Sequence, residues 1–313
     1  MPPEEKKQSC VRRILSGLGP TVSATVDAFT RRPRERLQNH SSFTHTQDSA
    51  RSSAGEIPGG GFTYATPSEA LLAELREEFS LEAIAGAGTE AERWHRLMKW
   101  VHQLTRRSAN PKSSKHLSGV HLVRAALEKG QRFNCVMYAT VLNEALLALG
   151  YVSRVARLYP MAEPITECHF VVVAFSEDLG KWVLLDADTC TTVSDEKGTP
   201  LHPGEIRECV IRGRKLVLSD SIRSRGLVIR WLLPRRLFKR LYLRLLVKNL
   251  FRFECAAESA AGFESRPPGR HYVQLIPDGY HDEWLGAPRE TKRGNFIHCT
   301  RDETFFWGQP AGA

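Results

Sequence analysis

No apolar run in this chain approaches the roughly 20 residues that a membrane-spanning helix requires. The first ten residues also lack the apolar stretch of a secretory signal, so a cytoplasmic location is expected. Paired C-x-x-C spacing is missing. The seven cysteines, at 10, 135, 168, 190, 209, 255 and 299, are scattered and odd in number, which argues against a disulfide framework and against a zinc cage. Reduced thiols are expected instead. Walker, Rossmann and zinc-finger patterns do not occur, and histidines 95, 102, 116 and 121 have no metal-ligand spacing with carboxylates or cysteines. Neither a cofactor nor a metal is implied, and no internal repeat is present.

What is there begins with size and charge. At 313 residues and 42% hydrophobic content, the chain can bury one large core or two small ones. Its formal net charge of +9 is concentrated between Arg223 and Arg252, where no acidic residue interrupts a series that includes Arg235, Arg236, Lys239, Arg240, Arg244 and Lys248. Leu237, Leu241 and Leu245 recur among them every four residues, which predicts an amphipathic helix with a basic face. Such a helix either packs on the core with its basic side in water or docks on an acidic partner, a phosphate-bearing ligand or a membrane surface; nucleic acid is not an expected partner.

Residues 1–61 combine Arg-rich patches with a Ser/Thr/His/Gln stretch and end in a Pro-Gly-Gly-Gly break, the composition of a disordered leader. Order is expected from Thr66, where Thr66-Pro67-Ser68-Glu69 predicts a helix N-terminus and a helix to about Phe79. A second capping box, Thr89 to Glu92, predicts a helix that buries Trp94, Leu97, Met98 and Val101. A third helix is expected from Ser118 to Gly130, and a fourth from Asn134 to Gly150 with Asn134 as its N-cap. Strands are predicted over 151–159, 168–175 and 181–187. Beyond Leu201 come short strand-like segments (209–211, 215–218 and 271–276), the basic helix and a Pro/Gly-rich loop. The resulting division is a leader over 1–61, a core over 62–220 and a C-terminal extension over 221–313 packed on that core.

The fourth helix puts Cys135 in its first turn. There a thiol faces unpaired backbone N–H groups and the positive end of the helix dipole, both of which favour the thiolate. A cysteine that opens an apolar helix is also a common small core residue. The neighbouring hairpin adds weight. If its turn is 176–179, then residue 175 opposes 180 and, continuing along the ladder, His169 lies directly opposite Asp186 on one face. A carboxylate there accepts a hydrogen bond from the imidazole and fixes its tautomer. Asp188, two residues on, shares that parity and is the other candidate orienter, while Cys168 is expected to point to the opposite face as a core thiol.

The ordered set Asn134-Cys135-x-x-Tyr138-Ala139, a helix ending Ala-Leu-Gly, His169 in an apolar strand, and Lys181-Trp182-Val-Leu-Leu-Asp186 resembles the transglutaminase-like superfamily over residues 120–190. The resemblance implies an α+β, papain-like fold in which N-terminal helices and a nucleophile helix pack on an antiparallel sheet. It further implies a Cys135/His169/Asp186 triad and a cysteine-dependent acyl transfer, from a peptide, amide or other acyl substrate to water or to an amine, through a thioester. Phe170 stands where the family commonly has tryptophan after the histidine, and Val172 replaces a usual acidic residue. For the family's side-chain oxyanion donor, Gln131, Gln103 and Trp100 are all open, beside the backbone N–H of Cys135. The competing reading is a non-catalytic binding module that uses the 235–248 helix to hold an acidic partner.

Overall fold

A computed structural model describes Leu37, residues 57–108, Pro111, residues 117–161, residues 168–219, Ser221 and residues 235–310. Most of the expected leader therefore lies outside the described residues, but Leu37 and Ile57 are both buried in the core. Among the described residues no helix is long and apolar enough to cross a membrane.

Five helices open the fold: α1 (Ala70–Glu78), α2 (Leu81–Ala85), α3 (Glu90–Leu104), α4 (Gly119–Lys129) and α5 (Cys135–Ala148). α1 starts three residues later than the sequence predicts. The Thr66 hydroxyl is engaged by Ser68 at 2.8 Å, and the Glu69 N–H closes a turn onto the Thr66 carbonyl. At α3 both bonds of the capping box form: Glu92 N–H donates to Thr89 Oγ1 at 3.4 Å, and Thr89 N–H donates to Glu92 Oε2 at 2.9 Å. The α3 face buries Trp94, Leu97, Met98 and Val101. α4 ends on Gly130 at φ 61°, the left-handed cap that its sequence predicts.

The mixed α+β architecture is built around one seven-stranded sheet of order β10-β11-β9-β7-β2-β3-β4. Its strands are β2 (Ser153–Tyr159), β3 (His169–Ser176), β4 (Lys181–Leu185), β7 (Arg252–Ala256), β9 (His271–Leu275), β10 (Arg289–Glu290) and β11 (Phe296–Thr300). Every neighbouring pair is antiparallel except β9 with β11. The remaining short strands form two small pairs, β1 (Thr63–Tyr64) with β8 (Glu258–Ser259) and β5 (Val193–Ser194) with β6 (Val217–Leu218). The segment 221–313 thus joins the sheet itself and supplies four of its strands.

Alternation along the central strands divides the core in two. Val172, Ala174, Val183 and Leu185 face α1–α5, with α5 lying against β3 and β2. Val171, Val173, Phe175, Trp182 and Leu184 face the opposite layer, made by α6 (Pro203–Ile211), α7 (Arg235–Lys248) and α8 (Glu303–Trp307). β3 is buried on both sides, each of its aliphatic side chains contributing about 1.5–3 kcal/mol by leaving water.

Two expectations for this second layer are corrected. Cys209 to Ile211, read as a strand, closes α6, whose N-cap is His202: its Nδ1 accepts from Gly204 N–H at 3.2 Å while Glu205 Oε2 accepts from His202 N–H at 3.0 Å. Imidazole is not a usual capping group, so the signal is easily passed over. α7 is a helix, as its periodicity predicts, but its buried seam is one residue round from the leucine stripe. Tyr242, Leu246 and Val247 are buried, Leu237, Leu241 and Leu245 are half-buried, and Arg240 and Arg244 are exposed.

Candidate functional site

Asn134 caps α5, its Oδ1 accepting from Met137 N–H at 3.1 Å, and the first helical residue is Cys135. The rest of the helix is enclosed: every residue from Met137 to Ala148 is buried. This places the half-exposed Cys135 thiol in the first turn of a fixed helix, at the positive end of its dipole.

His169 and Asp186 meet at 2.8 Å, Nε2 to Oδ2, and are 4% and 0% exposed. The register that brings them together differs from the predicted one. The hairpin turn is 177–180, so Ser176 faces Lys181 and the ladder ends at Val172 opposite Leu185. Moving the turn by one residue shifts the pairing by two, which preserves the face that each side chain occupies. His169 itself pairs with Leu158 of β2, and Asp186 reaches it diagonally from beyond the end of β4. The Asp186 backbone is held by a reciprocal pair of bonds to Thr191, both 2.9 Å.

The Asp186 carboxylate has two further donors, the Tyr242 hydroxyl at 2.7 Å and the Thr189 N–H at 3.2 Å. Burial alone disfavours its charge, but His169, Tyr242 and Thr189 together hold the group below the usual carboxylate range. Burial also opposes the imidazolium. The charge and hydrogen bond of Asp186, joined by a hydrogen bond with Cys135, outweigh it and raise His169 well above its ordinary value. With Nε2 committed to Asp186, Nδ1 is the ring nitrogen left to receive a thiol proton.

Asp188, the alternative orienter, is engaged elsewhere: Arg107 Nε donates to its Oδ2 at 2.6 Å. Burial works against the Arg107 cation, and the charges of Asp188 and Cys135 more than offset it. Arg107 forms a β-bridge with Phe133, two residues before Cys135. Cys168 is half-buried, and Arg157 Nε donates to its Sγ at 3.3 Å, so it is not the simple core thiol that strand alternation predicts. Burial raises its thiol and Arg157 partly reverses that.

Of the three open oxyanion donors, Gln131 donates to the Arg132 carbonyl at 2.8 Å, Gln103 is exposed, and Trp100 packs on Phe79 with ring centroids 6.2 Å apart. His102 is buried with Nδ1 3.0 Å from the Ala187 carbonyl, and His121 bonds the Ser118 hydroxyl; His116 lies outside the described residues. Among the described residues no group of three His, Cys, Asp or Glu side chains is arranged to hold a metal. Sequence reading missed Tyr242 and Arg107. The one hint for Tyr242 is a large amphipathic residue inside the basic helix; a polar Thr-Arg-Arg-Ser run hides Arg107.

The chain matches no family model, no curated protein and no solved structure.

Proposed function

We propose that this protein is a transglutaminase-like thiol enzyme on a papain-like fold, which transfers acyl groups through a Cys135 thioester. The observation that carries the reading is the buried 2.8 Å His169–Asp186 pair, bonded through the same imidazole to a cysteine at a helix N-terminus. An imidazole with Asp186 on one nitrogen and a thiol on the other is oriented to take the thiol proton. Asp186 raises the imidazole's affinity for that proton.

The steps follow from that pairing. The Cys135 thiolate attacks the acyl carbon, forming a C–S bond, and the carbonyl electron pair moves onto oxygen to give a tetrahedral oxyanion. The Cys135 N–H donates to this oxyanion. Collapse expels an amine or alcohol, which leaves with the proton from His169. Water or a second amine then loses a proton to His169, attacks the thioester, and releases an acid or a new amide with the thiol restored. Asp186 stays ionised throughout and stabilises the imidazolium. Cytoplasmic acyl substrates such as peptides or amides suit this chemistry.

Thiol alkylation tests the reading without a known substrate. Iodoacetamide at neutral pH is expected to modify Cys135 on the order of 100-fold faster than the other cysteines, and His169→Ala is expected to abolish the difference. Peptide mapping by mass spectrometry reads both. Equal rates across the cysteines of the native protein sink the proposal.

A second reading, a non-catalytic module that binds an acidic partner, is favoured by the exposed Arg240 and Arg244 on α7. It requires salt-dependent retention on heparin that weakens in Arg240→Glu/Arg244→Glu. Unchanged elution of that variant removes α7 from any such role. The buried Tyr242–Asp186 bond already ties this helix to the thiol site.

A further inference from the structure

The oxyanion and the thiolate both place negative charge at Cys135, and the three side chains open for that task in the sequence are engaged or exposed elsewhere. We infer that Arg107 is the fixed cation of this site, held by Asp188 so that its guanidinium stabilises the negative charge that forms on and around the Cys135 sulfur. This rests on the thiol-enzyme reading and extends it.

The placement is made from both sides of the site. Arg107 bridges Phe133; Ser108 N–H donates to the Phe133 carbonyl at 2.7 Å, and Phe133 N–H donates to the Arg106 carbonyl at 3.2 Å. The strand segment bearing Arg107 is therefore laced to the residues that lead into Cys135. The side chain crosses to the other half of the site, where Asp188, two residues past the His169 orienter, takes its Nε at 2.6 Å. Arg107 is thus fastened to the segment that delivers the nucleophile and to the loop that delivers Asp186. Its side chain is 19% exposed and that of Asp188 is 3% exposed, so solvent screens the charge only partly. A guanidinium cannot lose its charge in a protein and has five donors, so one face is clamped by Asp188 while the cation remains whole.

The two carboxylates beside the thiol then have separate tasks. Asp186 holds the imidazole, whereas Asp188 holds the arginine. Loss of Asp188 removes that clamp without removing the Arg107 charge.

Alkylation with two reagents of opposite demand on the site provides the test. Each converts thiolate to thioether: a C–S bond forms, the C–I bond breaks and iodide departs. Iodoacetamide is neutral and reports the reactive thiolate alone; iodoacetate is an anion and also reports the field at the sulfur. Arg107→Gln is expected to slow iodoacetamide at Cys135 by about tenfold, and to slow iodoacetate by about tenfold more. Arg107→Lys should recover most of the iodoacetate rate, and Asp188→Asn should lie between. Because Arg107→Gln leaves Asp188 buried and unpaired, Arg107→Gln/Asp188→Asn is measured beside it, with circular dichroism confirming the fold; a variant that unfolds is set aside and the double variant decides. Wild-type rates with both reagents in the folded variant overturn the inference. If the native protein itself shows no preferential alkylation of Cys135, the failure belongs to the thiol-enzyme reading.

Discussion

Asp186→Asn is expected to lower turnover by about three to four orders of magnitude while leaving the protein folded. The native carboxylate accepts at both oxygens: Oδ2 takes the His169 Nε2–H and the Tyr242 hydroxyl, and Oδ1 takes the Thr189 N–H. An asparagine keeps one acceptor oxygen and turns the other into an N–H donor. If that donor faces His169, Nε2 must accept and the ring proton moves to Nδ1, where the Cys135 proton has to arrive. The thiol then has no base. Hydrolysis of p-nitrophenyl acetate by the native protein and the variant, with a Cys135→Ala blank, measures the loss. Turnover within tenfold of native would remove Asp186 from the proposed mechanism. Asp186→Ala should add a folding defect, because it strands a buried imidazole and a buried hydroxyl; breaking such a pair costs about 3–5 kcal/mol.

Tyr242→Phe separates orientation from charge. It deletes a single 2.7 Å bond to an ionised acceptor, worth about 1.5–3 kcal/mol, and leaves the His169–Asp186 contact in place. A partial loss of turnover is therefore expected, well short of that in Asp186→Asn.

The parts of the fold that rest on local chemistry are legible in the sequence. Thr89, Asn134 and Gly130 do what capping rules ask of them, because a cap is decided within four residues. The meeting of His169 and Asp186 was legible for a subtler reason: strand faces repeat every two residues, so a turn misplaced by one residue still left both side chains on the same face. Distance in the chain hides the rest. Tyr242 lies 56 positions from Asp186, and Arg107 lies 81 from Asp188; no periodicity connects them. β7 escaped notice because its buried positions include charged residues, whereas the strand expected over 271–276 is β9. Glu254 accepts from the Tyr159 hydroxyl and from Gln274 Nε2, both at 2.9 Å, so these side chains are buried as satisfied partners rather than as apolar ones.

Raising the pH from 5 to 7 is expected to cost the native protein a few kcal/mol through one carboxyl group, Glu144, on the helix that bears Cys135. Glu144 is 2% exposed and braces α5 against two backbones: Oε2 accepts from Gly119 N–H at 2.6 Å at the start of α4, and Oε1 accepts from Gly262 N–H at 3.0 Å. Gly119 is needed for that approach, since a Cβ there would stand 3.0 Å from Glu144 Oε2 and 3.1 Å from Leu75 Cδ2. Burial pushes the carboxyl up to about 8, against the two N–H donors that favour its ionised form. A group raised in the folded state binds more protons folded than unfolded between its ordinary 4.5 and about 8. Stability from it is whole below that window and drains as the pH rises through it, by about 1.4 kcal/mol per unit. Glu144→Gln has no proton to lose. It is expected to be less stable than the native protein at pH 5, because its amide nitrogen faces one of the two N–H groups, and the gap should narrow steadily towards pH 8. Thermal melts of both proteins across that range isolate the difference from histidines that titrate in each. Parallel curves would show that Glu144 is ionised in the fold, and that the two glycine N–H groups prevail over burial on the helix that bears Cys135.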